Sequence, residues 1–236
     1  MTDTDRPAPE NDESILGKSA VRINLNPIAN PKPMGFMALA IATLMLSALQ
    51  LGWLPDSERN NVAIILITFS FPLQALGAVF GFLARDVVVG TGMAMLGGTW
   101  LSTAVVSLNQ PPGAQTTSTL GVLMLAVALG LLVPAAGAAT GKLIAAAILG
   151  GSAVRFALTA VYELTGSPIW GTVAGVGGVL LCVLALYGAL ALLIEDVRKR
   201  TVIPVLRRGA GRVSMNGNLK DQLRSIEREG GIREQL

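Results

Sequence analysis

From residue 34 onward the chain alternates between long apolar runs and short polar breaks. The apolar runs cover 34–54, 62–84, 87–108, 120–139, 143–164 and 169–194. Each is close to the ~20 residues that a helix needs to cross a bilayer. The breaks carry turn residues or charges: Pro55-Asp56-Ser57, Arg85-Asp86, Asn109-Gln110-Pro111-Pro112-Gly113, Gly141-Lys142 and Gly166-Ser167-Pro168. The pattern predicts an all-α membrane protein, a six-transmembrane-helix bundle with both termini on one side. Residues 1–29 are rich in Asp, Glu, Pro and Asn and read as a flexible arm. The bundle then occupies 30–197, and 198–236 forms a basic, then mixed tail. Within that tail Leu219, Leu223 and Ile226 recur at helical spacing, which suggests a short amphipathic helix or a solvated end.

Charge orients the bundle. Arg6, Lys18, Arg22, Lys32, Arg85, Lys142 and the Arg198-Lys199-Arg200 run all fall on one face, whereas the other carries Arg59. By the positive-inside rule the lysine-rich face, with both termini, is cytoplasmic. Trp53 and Trp170 stand at span ends on the opposite side, where amphipathic rings anchor. The arrangement is that of a multi-pass protein of a bacterial inner membrane. No early apolar run reads as a cleavable signal peptide.

Composition agrees and removes several functions. Of 236 residues, 52% are hydrophobic and 14% charged, well under the ~25% of soluble domains. A net charge of +3 with basic residues at the ends argues against nucleic-acid binding. Cys182 is the single cysteine, so no internal disulfide or cysteine metal site is possible, and histidine is absent. Neither a catalytic constellation nor a phosphate loop is present, and no cofactor is expected. The chain does not read as an enzyme. Gly77 and Gly81, Gly137 and Gly141, and Gly171 and Gly175 are pairs spaced for close helix packing.

Candidate chemistry lies where polarity persists at depth. At the start of the first span, Asn30-Pro31-Lys32-Pro33-Met34-Gly35 reads as a helix entrance. Proline is tolerated there, Asn30 can accept from free N–H groups, and the positive dipole end suits an anion. On the fifth span Ser152, Arg155, Thr159, Tyr162 and Glu163 stand at spacings of three, four and seven and share a face. Arg155, in the outer half, offers a fork of donors matched to a carboxylate, and Glu163 could carry a proton or guard the mouth. The alternative reading makes Arg155 an ion-pair latch to a neighbouring helix, with Glu163 merely at the outer interface. Thr43, Ser47 and Gln50 form a milder stripe on the first span, and Thr68, Ser70 and Gln74 one on the second. Such stripes serve either interhelical hydrogen bonds or a narrow polar route.

The run Asn30-Pro31-Lys32-Pro33-Met34-Gly35-Phe36-Met37 resembles the opening motif of the acetate uptake transporter family, the succinate–acetate permease group. Further segments are similar to that family: Thr68-Phe69-Ser70-Phe71-Pro72-Leu73-Gln74, Gly97-Gly98-Thr99-Trp100-Leu101-Ser102, and Arg200-Thr201-Val202-Ile203-Pro204 after the last helix. The resemblance implies uptake of acetate, and in some members succinate, coupled to protons, by six helices per subunit in a hexamer. It carries over Asn30, Pro31 and Pro33 as functional candidates, with Thr43 and Gln74 at polar positions of the first two spans. The chain also departs from the family. Leu39 and Leu96 stand where aromatics usually help to form an apolar constriction, Gly81 lies near an expected Glu, and Arg155, Thr159 and Glu163 occupy positions commonly apolar or uncharged. It looks like a divergent member with an altered constriction and selectivity.

The expected function is therefore a transporter or channel for acetate or a similar small monocarboxylate, probed at Asn30, Pro31, Pro33, Gly35, Thr43, Gln74, Arg155, Thr159 and Glu163. Its partners would be a carboxylate anion, a proton, lipid and further copies of itself. Two alternatives remain: passage of another small solute such as ammonium, and a non-transporting scaffold or sensor that uses the tail.

Overall fold

The computed structural model describes residues 28–111, 114–198 and 200–206. Most of the arm, and the 219–226 pattern in the tail, lie outside the described residues. Six helices cross the molecule: α1 (Lys32–Gln50), α2 (Asp56–Leu83), α3 (Val87–Leu108), α4 (Ser118–Ala139), α5 (Leu143–Thr165) and α6 (Pro168–Arg198). All six are long and apolar enough to cross a membrane, and no strand occurs among the described residues. Each helix packs on its neighbour in sequence, and α6 returns to α1, so the six close into a ring.

Local chemistry sets the ends. Asn30 accepts from the backbone N–H of Lys32 at 3.2 Å, and Pro33 lies in the first turn of α1, where its missing donor costs nothing. Asp86 caps α3 by accepting from the N–H of Val89 at 3.3 Å. Gly166, at φ 64°, ends α5 in the left-handed conformation that glycine adopts without strain.

Three features differ from the hydropathy pattern. Helix α1 stops at Gln50, short of residue 54, because the chain turns at Gly52 with φ 70°. Helix α2 widens to a π turn over Leu66–Ser70, with the N–H of Phe71 bonding the carbonyl of Leu66. The proline ring at Pro72 crowds the carbonyl one turn back, and the wider turn makes room for it. Helix α6 continues past residue 194 to Arg198, about 45 Å in all and longer than the hydrocarbon core is thick. Residues 200–206 then fold back on it. The Tyr187 hydroxyl donates to the carbonyl of Pro204 at 2.7 Å, Thr201 donates to Glu195 at 3.0 Å, and Val205 is buried.

The two faces of the ring can be told apart by their contacts. On one, Asp86 receives both Lys32 at 2.9 Å and Lys142 at 2.7 Å, which ties α1, the α2–α3 turn and the α4–α5 turn together. Burial opposes the Asp86 charge, but the two ammonium groups outweigh it and hold its carboxyl below the ordinary carboxylate range. On the opposite face the Gln115 amide donates to Asp56 at 2.7 Å, and the N–H of Thr117 donates to Glu163 at 2.8 Å. Near the lysine face α2 and α3 touch backbone to backbone: a Cβ on Gly81 would lie 2.8 Å from the amide nitrogen of Gly90. Only glycine allows that approach.

Candidate functional site

A cavity of about 420 Å³ opens within the ring toward the face that carries Arg59. Arg155, Thr159, Tyr162 and Glu163 of α5 all line it, so the inward face of the fifth span is a real one. Gln50 of α1 and Thr103 and Ser107 of α3 complete its polar wall, while Leu46, Met124 and Phe156 supply apolar surface. Asp56 and Arg59, 3.6 Å apart, stand at its rim.

Arg155 is 2% exposed. Its Nη2 donates to Oε1 of Gln50 at 2.6 Å and its Nη1 to the Thr159 hydroxyl, which itself donates to the Arg155 carbonyl at 3.0 Å. No carboxylate pairs with Arg155 among the described residues, so the ion-pair latch has no partner within this chain's described part. Its Nε and the nearby Ser47 Oγ have no hydrogen-bond partner, nor has Thr103 Oγ1. Glycines of α6 make room for the guanidinium. A Cβ at Gly178 would land on Arg155 Nε and Ser47 Oγ, and one at Gly175 would lie 2.7 Å from Leu51 and 3.3 Å from Gln50. A buried guanidinium held by neutral acceptors keeps an uncompensated positive charge beside an open cavity, and a carboxylate is the natural complement.

The remaining expected positions lie toward the lysine face. Asn30 is half-buried, and Pro31 and Pro33 are buried around the start of α1. Gly35 and Gln74 meet directly, the Gln74 amide donating to the Gly35 carbonyl at 3.1 Å. The Gln74 carbonyl oxygen accepts from Trp100 Nε1 at 2.9 Å. Trp100 in turn packs on Phe156 at 5.4 Å between ring centroids, and Phe156 lines the cavity. A continuous chain of contacts thus runs from the α1 entrance to the outer cavity. Thr43 turns back on its own helix, donating to the carbonyls of Leu39 at 2.9 Å and Ala40 at 3.1 Å, and does not line the cavity. Leu39 and Leu96 are fully buried in the core of the ring. Thus Arg155, Thr159 and Glu163 come together at one site, while Asn30 to Gly35 form a separate inner end.

Three parts of this arrangement are not evident from spacing alone. The Trp100–Phe156 ring pair lies in the same buried core as the aliphatic Leu39 and Leu96. Thr103 gives its signal only as a threonine one turn beyond Trp100. Gln50 was visible as the end of a polar stripe, but its pairing with Arg155 joins residues far apart in sequence. Among the described residues no group of side chains is arranged to hold a metal ion.

The family model described as the GPR1/FUN34/yaaH family matches residues 16–207. No curated protein matches the chain. A solved structure described as the structure of the bacterial acetate channel SatP is similar to it, with a TM-score of 0.68 and 21% sequence identity, over 75% of this chain and 99% of that one. That likeness bears on the fold, a six-helix membrane bundle.

Proposed function

The chain belongs to the GPR1/FUN34/yaaH family, and from that premise we propose that it passes acetate or a similar small monocarboxylate across a membrane, accompanied by a proton. The observation that carries this reading is Arg155, a buried cation on the wall of an open cavity with no acidic partner among the described residues. The similar solved structure bears the name of an acetate channel, which agrees with the proposal.

In this reading the solute enters the outer cavity and its carboxylate binds the guanidinium, with Thr159 and Gln50 holding that group in place. The way onward leads past Phe156 and Trp100 and then the apolar residues Leu39 and Leu96. A bare carboxylate would lose its hydration there at a cost of several kcal/mol, so it crosses with a proton. It leaves by the α1 entrance, where Asn30, Pro31, Pro33 and Gly35 present a helix N-terminus to the anion. The lysine face with Lys32 and Lys142 is cytoplasmic, in a bacterial inner membrane, and the protein works as an oligomer.

The test is uptake of labelled acetate by proteoliposomes, with and without an inward proton gradient, for the parent protein and Arg155→Leu. Gradient-driven uptake by the parent, reduced at least about tenfold in the variant, is the expected result. Equal uptake in the two would remove Arg155 from the path. No uptake above protein-free liposomes, by folded protein, would remove the carboxylate altogether.

A further inference from the structure

The cavity that holds Arg155 also holds two acids, and their placement bears on which carboxylates can enter. Arg155 and Glu163 both come from α5 and both line the cavity, about 12 Å apart along the helix axis. Glu163 is 8% exposed, its Oε2 fixed by the N–H of Thr117, and Tyr162 and Arg59 are its near neighbours. Asp56 lines the same outer end and already takes Arg59 at 3.6 Å and the Gln115 amide at 2.7 Å. The outer end therefore carries two carboxylates against one guanidinium, while the inner end carries one unopposed guanidinium.

We infer that this cavity accepts solutes bearing a single carboxylate and rejects dicarboxylates of the same size, with Glu163 as the residue that sets the limit. The inference rests on the proposal that Arg155 receives the solute's carboxylate. The Arg155 guanidinium bonds Thr159, one turn short of Glu163, so a four-carbon dicarboxylate seated on it would bring its second carboxylate within several ångströms of Glu163. At that separation two like charges in a protein environment repel strongly enough to weaken binding on the order of tenfold or more. Size is not the obstacle, because about 420 Å³ is several times what a four-carbon acid fills. A neutral polar group at the same position has hydrogen-bonding groups around it and meets no such repulsion. Glu163 thus discriminates by an introduced repulsion, while Arg155 provides the attraction.

The experiment is competition against labelled acetate uptake by proteoliposomes near neutral pH, with succinate and its monoamide succinamate as probes. The two have nearly the same size and differ by one charge. In the parent protein succinamate should compete at a concentration at least about tenfold below that needed for succinate. In Glu163→Gln, whose side-chain oxygen can still accept from Thr117, the gap should close to about threefold or less. In Glu163→Asp, which keeps the charge, it should persist. Equal competition by both probes in the parent overturns the inference, as does failure of both, which would make size the limit. A gap unchanged in Glu163→Gln removes Glu163 from the role. Should that variant not fold, the parent comparison still decides whether charge is discriminated. Absence of acetate uptake by the parent is a separate result, which overturns the transport reading and this one with it.

Discussion

Gly178 on α6 leaves the space that Arg155 on α5 fills: a Cβ at position 178 would occupy the place of Arg155 Nε and of Ser47 Oγ. A buried guanidinium needs such a slot, because it cannot be compressed and its donors must stay aligned with Gln50 and Thr159. Gly178→Ala should therefore move the charge away from its acceptors. Apparent affinity for acetate should fall about tenfold or more, with a smaller change in maximal rate. The check is a double-mutant cycle in uptake assays. If Gly178 acts through Arg155, Gly178→Ala adds nothing in the Arg155→Leu background. If it matters only for packing α6 on α1, the two losses multiply.

Gln74 was legible in the sequence as a polar residue on an apolar span, and its position in a family-like segment suggested the pathway. The structure engages it as a strap between α1, α2 and α3, through the Gly35 carbonyl and the Trp100 indole. Gln74→Leu leaves the buried Trp100 N–H unpaired, at a cost of about 1–3 kcal/mol, and takes one of two donors from the Gly35 carbonyl, which keeps its bond within α1. The midpoint of thermal unfolding in detergent should fall. Adding Trp100→Phe, which removes the orphaned donor, should recover part of the loss. A Gln74→Leu protein as stable as the parent would show that the strap contributes nothing.

The outline of the fold was readable because a bilayer imposes length and composition on every span. That fixed six helices, their breaks and a common face for Lys32, Arg85 and Lys142. The fifth-span face was readable for a related reason: Arg155, Thr159 and Glu163 recur at helical period, and polarity at depth stands out against apolar neighbours. What spacing could not reveal is pairing across the ring. Gln50 with Arg155, Gly35 with Gln74, and Asp86 with two lysines each join residues on different elements, and no local period records such contacts. The π turn at Leu66–Ser70 and the extension of α6 to Arg198 were hidden because hydropathy registers apolarity and not backbone winding.

Asp86 holds three segments of the lysine face, and its effect on stability should depend on pH in one direction. Its carboxyl lies below the ordinary range in the folded protein: burial raises it, and Lys32 and Lys142 more than reverse that. A group with a depressed folded pKa contributes stability that is fully present above its unfolded value of about 3.9 and lost as pH falls through the folded value. Asp86→Asn should lower stability by about 1–3 kcal/mol at neutral pH. Its unfolding midpoint and that of the parent should converge below about pH 4. A difference that stays constant down to acid pH would mean that the carboxylate charge is not what joins these segments.

Thr103 gives the last prediction, since its hydroxyl is buried and unpartnered on the wall that Arg155 shares. An unpaired buried hydroxyl is a local cost, and valine has nearly the same shape without it. In the absence of solute, Thr103→Val should be neutral or stabilising by up to about 1 kcal/mol. A bound carboxylate changes the balance, because Thr103 and Arg155 line one cavity and a solute on the guanidinium would offer the hydroxyl an acceptor. Acetate should therefore raise the unfolding midpoint of the parent more than that of Thr103→Val. The two effects have opposite signs, so a general packing defect cannot produce both. If the variant is less stable without acetate and gains as much from it as the parent does, Thr103 has another partner and no part in holding the solute.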